Sequence, residues 1–199
     1  MKRFAFTMLE LVFVIIVIGI LAVLAMPNFR GNPLQTAAEQ VASHIRYTQH
    51  LAMVDDKFDP TDATWWKERW QIRFLTNGAT NYYDIFSDVN QGGNSDEIEE
   101  AIDPLTHERL GSGNTLNTPN NSVNLTDNYG ITAIAGTCII GGTNKIGFDQ
   151  LGRPYLGVSA GIFSNSVPVG GCTIILQHQT DGNATITIHP ETGYVSVAY

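Results

Sequence analysis

The sequence predicts an α+β chain in which a long N-terminal hydrophobic helix, one half transmembrane and one half amphipathic, packs on an antiparallel β-sheet. Three observations carry this. Residues 4–26 form an apolar run with a single charge. Residues 34–54 place apolar side chains at helical spacing. From residue 70 onward, short alternating segments are separated by turns rich in Gly, Asn, Asp and Pro. With 199 residues the chain is long enough for one domain with a real core, and the first 26 residues stand outside that core.

Lys2 and Arg3 precede the apolar run Phe4 to Met26, and Leu11 to Met26 holds no charge. Phe6 to Met26 is 21 residues, which as a helix spans ~32 Å, about the thickness of a bilayer core. The basic residues on its N-terminal side predict that this end stays cytoplasmic and that the body lies across the membrane. A cleaved secretory signal would end in a small-x-small site, for which Ala22-Val23-Leu24-Ala25 is a poor candidate. A signal peptide also has no use for Glu10. A carboxylate inside an apolar span costs ~2.5–3.5 kcal/mol on insertion scales, so a positive partner at the same depth is expected. An α-amino group is the obvious one.

Ala5-Phe6-Thr7-Met8-Leu9-Glu10 resembles the processing site of type IV prepilins and type II secretion pseudopilins. The resemblance implies cleavage between Ala5 and Phe6 by a prepilin peptidase and N-methylation of Phe6. It gives Glu10 the role of neutralising the new N-terminal amine as subunits pack. It also places Gly19 where such helices loosen and Pro27 at the bend after the apolar run. The family prefers Gly before the cut, and here Ala5 stands there. The implied organisation is a leader over 1–5, a transmembrane and assembly helix over 6–26, an amphipathic stem over 27–55 and a periplasmic β-rich body over 56–199.

Leu34, Ala38, Val41, Ala42, Ile45 and Ala52 define the apolar face of the stem. Thr36-Ala37-Ala38-Glu39 reads as a capping box that starts a helix, and Gly31-Asn32-Pro33 disfavours an unbroken one. A weak point is therefore expected between Pro27 and Pro33. Trp70, Ile72 and Phe74 alternate with Gln71 and Arg73 as in a half-buried strand, with Tyr82 to Phe86 as hairpin partner. Residues 87–122 hold few apolar side chains and read as a long variable loop. Strands are expected again near 131–140, in a hairpin of 145–148 with 154–158, and in a terminal meander of 173–179, 184–188 and 194–198. A helix followed by such hairpins resembles the minor pseudopilins of the H type and related minor pilins.

The formal charge of −8 argues against a chain built to coat nucleic acid, which needs a basic face. Only 15% of residues are charged, and Gly, Asn, Thr and Ser are abundant after residue 75, which suits an extracytoplasmic β body better than a cytosolic α/β enzyme. Cys138 and Cys172 show no CxxC spacing, and two cysteines in an exported chain tend to pair; two small buried thiols are the alternative.

Four further constellations bear on chemistry. Asp88, Asn90, Gly93, Asp96 and Glu99 fall at positions one, three, six, nine and twelve of an EF-hand loop, which makes Asp88, Asn90, Asp96 and Glu99 calcium candidates. Gly92 at position five offers no oxygen, and a solvated acidic loop is the favoured reading. Gly157-Val158-Ser159-Ala160-Gly161 matches the nucleophile-elbow pattern, with Asp181 and His189 following in hydrolase order. The Gly/Ser/Pro stretch after it lacks the required helix, so no catalytic residue and no enzyme activity is expected. Trp65, Trp66 and Trp70 with Lys67, Glu68 and Arg69 read as an anchor between stem and sheet, with a partner-binding patch as the alternative. Arg153 is a weak phosphate ligand in so acidic a chain.

The function implied is that of a minor pseudopilin in the bacterial inner membrane, assembling with other pseudopilins on an inner-membrane platform into a short periplasmic filament that helps export proteins. A minor type IV pilin for pilus assembly or DNA uptake is the nearest alternative, and a membrane-tethered hydrolase a distant one.

Overall fold

A computed structural model describes residues 7–25, 31–111, 120–139, 144–157 and 170–199. The chain divides into two compact units, Met1–Asn32 and Pro33–Tyr199.

The first unit holds helix α1, Met8–Ala25. At 18 residues it is ~27 Å long. Apart from Glu10 its sequence is apolar all round, so no side forms a polar stripe and none marks a core-facing seam. Among the described residues no helix is long and apolar enough to cross a membrane. The 21-residue span expected over 6–26 includes Phe6 and Met26, which lie outside the described residues.

The second unit begins with α2, Pro33–Val54. It starts three residues before the expected cap at Thr36, because proline is preorganised for the first helical position and has no N–H to leave unpaired. Leu34, Ala37, Ala38, Val41, Ala42, Ile45, Thr48 and Ala52 form its buried face. The small residues let the helix lie close to the strands beneath it.

Among the described residues eight strands follow: β1 (Trp70–Asn77), β2 (Thr80–Ser87), β3 (Ile131–Ala135), β4 (Lys145–Phe148), β5 (Pro154–Leu156), β6 (Cys172–His178), β7 (Gly182–Ile188) and β8 (Val195–Ala198). They form two antiparallel four-stranded sheets, ordered β2-β1-β4-β5 and β3-β6-β7-β8, where the sequence predicts one sheet. The division follows from non-local pairing. β4 joins β1 through Gln71↔Gly147, Ile72↔Ile146 and Arg73↔Lys145, while β3, between them in sequence, pairs with β6. One hydrophobic core takes side chains from α2 and from both sheets, including Val41, Ile45, Ile72, Ile146, Ile174 and Ile186.

The first hairpin turns through Gly78 and Ala79, with Asn77 opposite Thr80 and Gly78 at φ +61°, a conformation that suits a residue without Cβ. The expected alternation in β1 fails at Gln71, which is fully buried, with its Nε2 donating to the carbonyls of Lys67 and Arg69, each at 3.5 Å, in the segment just before the strand. Gln49 of α2 donates from Nε2 to the carbonyls of Gly152 and Thr192, both at 2.8 Å, tying two body turns to the helix.

Residues 87–111, read from the sequence as part of a variable loop, are tied to the sheet. Ala101 and Leu110 are buried, and backbone bonds run from Ala101 N to Ile85 O, from Ile85 N to Leu110 O and from Leu110 N to Ala101 O. The segment lies along β2 and extends its hydrogen bonding. Two buried apolar residues among many polar ones are too few to show a period. Residues 112–119 lie outside the described residues. A short helix α3, Leu125–Tyr129, also escapes the sequence reading. Asn124 caps its N-terminus by accepting from Asp127 N, and Gly130 closes it at φ +67°.

Candidate assembly helix and the loops of the body

Thr7 opens α1. Its carbonyl accepts from Glu10 N (3.1 Å) and Leu11 N (3.2 Å), and its hydroxyl accepts from Glu10 N at 3.3 Å. Thr7-x-x-Glu10 is thus a Ser/Thr-x-x-Glu helix start, a signal present in the sequence but read there only as part of the processing site. Glu10 sits in the first turn, where the helix dipole favours a negative charge. Every residue from Thr7 to Ala22 is exposed, and the large apolar ones range from Val17 at 37% to Met8 at 84%. A Cβ added at Gly19 would meet nothing within 4 Å, so the chain's own packing does not demand glycine there. Ala5, Phe6 and Pro27 lie outside the described residues.

Cys138 and Cys172 form a disulfide across 34 positions, tying the segment after β3 to the first residue of β6.

The acidic loop after β2 is held by its own hydrogen bonds. Gly93 N donates to Asp88 Oδ2 (2.9 Å), and Gly93 takes φ +82°. Asn90 accepts from Gly92 N (2.7 Å) and donates from Nδ2 to Asp96 Oδ2 (2.5 Å). Glu99 accepts from Asn90 N (2.8 Å) and from Asp96 N (3.3 Å), the latter as half of a capping box with Asp96. Asp88 Oδ1 is buried without a hydrogen-bond partner among the described residues. The backbone therefore has features of an EF-hand loop. The side chains as placed do not make a cation shell: among the described residues no group of three or more His, Cys, Asp or Glu is positioned to hold a metal ion.

This loop is fastened to the sheet by Arg73. Its guanidinium donates to Asp84 from Nε (3.1 Å) and Nη2 (2.5 Å), and from Nη1 to Gly93 O (3.4 Å). Lys145 Nζ also donates to Gly93 O, at 2.6 Å. Burial, then the Arg73 charge, holds the Lys145 ammonium below its ordinary pKa. Nearby, Glu100 is pushed up to about 7, first by burial and then by the Asp84 carboxylate. Its Oε1 is buried without a hydrogen-bond partner among the described residues.

The remaining candidates have structural partners. Arg69 stacks between Trp65 and Tyr155, 4.7 Å from each ring, and Trp70 Nε1 donates to Asp55 Oδ2 (2.9 Å) just beyond α2, which bears out the anchor reading. Arg153 Nε donates to Asp149 Oδ2 at 2.7 Å. Ser159 lies outside the described residues. Asp181 approaches His178 Nδ1 (3.4 Å), and His189 lies against Ser196 Oγ (3.4 Å), so the described members of the hydrolase order are not paired with each other. Between α2 and β2, His44 Nδ1 meets Tyr83 OH at 2.7 Å, and Gln40 Nε2 donates to the same hydroxyl at 3.3 Å. Burial lowers the pKa of His44 and raises that of Tyr83, as expected of a polar seam shut between packed elements.

A scan of the chain against protein-family models finds no match, and neither does a search of curated proteins or of solved structures.

Proposed function

We propose that this chain is a minor pseudopilin of a type II secretion system. It is held in the bacterial inner membrane by its N-terminal segment and assembles with homologous subunits into a short periplasmic filament. The observation that supports this best is Glu10: one carboxylate in the first turn of a helix whose described side chains are otherwise apolar and exposed. Such a surface is unsuited to water, and such a carboxylate is costly in lipid unless a cation reaches it. Cleavage after Ala5 creates that cation at Phe6. Residues 6–26 supply the length to span the bilayer.

Assembly, not catalysis, is then the mechanism. The N-terminal helices bundle, Glu10 pairs with the amine of Phe6 as subunits pack, and the β body meets neighbouring subunits or cargo. The partners are other pseudopilins, the peptidase that trims the leader, and the assembly platform. In cells, Glu10→Ala should leave membrane insertion intact and remove the subunit from sheared filament fractions. Normal incorporation of that variant would refute the charge-pairing account. Mass spectrometry of the mature N-terminus should find methylated Phe6; an intact Met1 start would remove the prepilin reading itself.

A further inference from the structure

Asparagine followed two residues later by Ser or Thr, with no proline between, occurs three times: Asn120-Asn121-Ser122, Asn124-Leu125-Thr126 and Asn183-Ala184-Thr185. This triplet is the acceptor pattern for N-linked glycans. The structure separates the three. Asn120 is 9% exposed, donates from Nδ2 to Arg109 O (2.8 Å) and accepts from Ser122 N (2.8 Å). Asn124 donates from Nδ2 to Asp127 Oδ2 (2.7 Å) and caps α3 by accepting from Asp127 N (3.0 Å). Both amides are committed to holding local structure.

Asn183 differs in each respect. It is exposed at the start of β7, one step from the hairpin turn, where His178 faces Gly182 and Gln177 faces Asn183. Its side chain makes no hydrogen bond among the described residues. Ala184 is fully buried, so strand alternation puts Asn183 and Thr185 together on the outer face of the sheet, away from the core. The amide and the hydroxyl that an acceptor site must present therefore share one accessible surface. Asp181, two residues before the asparagine, has a side chain 30% exposed. It adds a carboxylate that a cationic subsite can hold; the other two triplets have Thr118 and Ser122 at that position.

We propose that Asn183 is an N-glycosylation site, modified by a membrane oligosaccharyltransferase acting on the exported body. Asn183 Nδ2 attacks the anomeric carbon of an oligosaccharide carried on a polyprenyl diphosphate. The new C–N bond forms as the anomeric C–O bond to the diphosphate breaks. Polyprenyl diphosphate leaves with the electron pair, and one amide proton passes to a base of the transferase. No oxidant or reductant is required. The glycan then stands on the outer face of the β3-β6-β7-β8 sheet, opposite the buried side chains that pack in the core, so it can be carried without disturbing the fold. The inference rests on the export of the body proposed above.

The test is peptide mapping by mass spectrometry of the full chain purified from its native host. The expected result is a glycan mass on the peptide containing Asn183, with none on Asn120 or Asn124. Asn183→Gln and Thr185→Val should each abolish it, the second while leaving the acceptor amide in place. Both variants should melt like wild type, since both side chains point outward. An unmodified Asn183 refutes the proposal. The redox state of Cys138 and Cys172 in the same sample tells what else falls. A bridged pair with bare Asn183 leaves export standing; reduced thiols with bare Asn183 remove both.

Discussion

Arg73→Met is expected to destabilise the body by roughly 3–5 kcal/mol, the cost of stranding one member of a buried ion pair. Asp84 is fully buried and takes two hydrogen bonds from the guanidinium, at 3.1 and 2.5 Å. Methionine fills most of the volume but supplies no charge, so the carboxylate must be protonated or hydrated at the expense of packing. The same substitution removes the bond to Gly93 O and the stacking over Phe86, 5.0 Å from the ring. In a body of this size each kcal/mol moves Tm by ~2–4 °C, which gives a drop of about 10 °C. All three tryptophans, Trp65, Trp66 and Trp70, lie in the unit Pro33–Tyr199, so their fluorescence reports its unfolding even in the full chain held in detergent. The companion Arg73→Met/Asp84→Leu should recover much of the loss, because replacing both partners by apolar groups leaves no buried carboxylate deprived of its guanidinium. A Tm within about 2 °C of wild type for the single variant, or a double variant no better than the single, would refute the argument.

Two other outcomes follow from the same unit. Changing Cys138 and Cys172 to Ser releases a loop closed across 34 positions, which should cost about 4 kcal/mol in the chain-entropy model, read as a lower urea midpoint with a steeper slope, because the released unfolded chain is less compact; wild type in reductant should behave alike. Glu100 should impose a pH dependence of defined sign. Its folded pKa of about 7 stands above the ordinary 4.5, so between these values the folded state holds more proton than the unfolded one and stability falls as pH rises. Glu100→Gln should flatten that window in urea melts taken from pH 4 to 8, with the variant gaining on wild type toward pH 8. A variant that keeps the wild-type slope, or that loses ground to wild type toward pH 8, would assign the effect elsewhere.

Local period and turn chemistry made much of this fold legible. The stem showed its face through Leu34, Val41, Ala42 and Ile45, and the hairpins showed their strands through alternation and Gly-bearing turns. What stayed hidden depends on partners far away in sequence. Gln71 looks like a solvent residue, and neither its full burial nor its pairing with Gly147 of β4 shows in the local pattern. Ala101 and Leu110 look isolated until β2 offers them Ile85. The division into two sheets is set by which strand β4 joins, and no local signal encodes that choice. At the N-terminus the position is reversed: Glu10 stands out in the sequence, and its environment within one chain adds only the Thr7 cap and the exposure of its neighbours.

The stem helix is built early in the chain and completed late. Arg46 Nη2 donates to the carbonyl of Val195 at 3.0 Å, Glu39 accepts from Tyr199 OH at 2.8 Å, and Val195 belongs to the same core as Val41. The apolar side of α2 is therefore covered in full only once β8 has emerged, well over a hundred residues after the helix itself. Contacts so distant along the chain form slowly, and a chain waiting for them is open to wrong partners. A ribosome stalled before residue 195 would leave a product whose stem lacks the last of its cover. β8 thus acts as a timer: until it is in place, an incomplete copy still shows part of its stem to proteases.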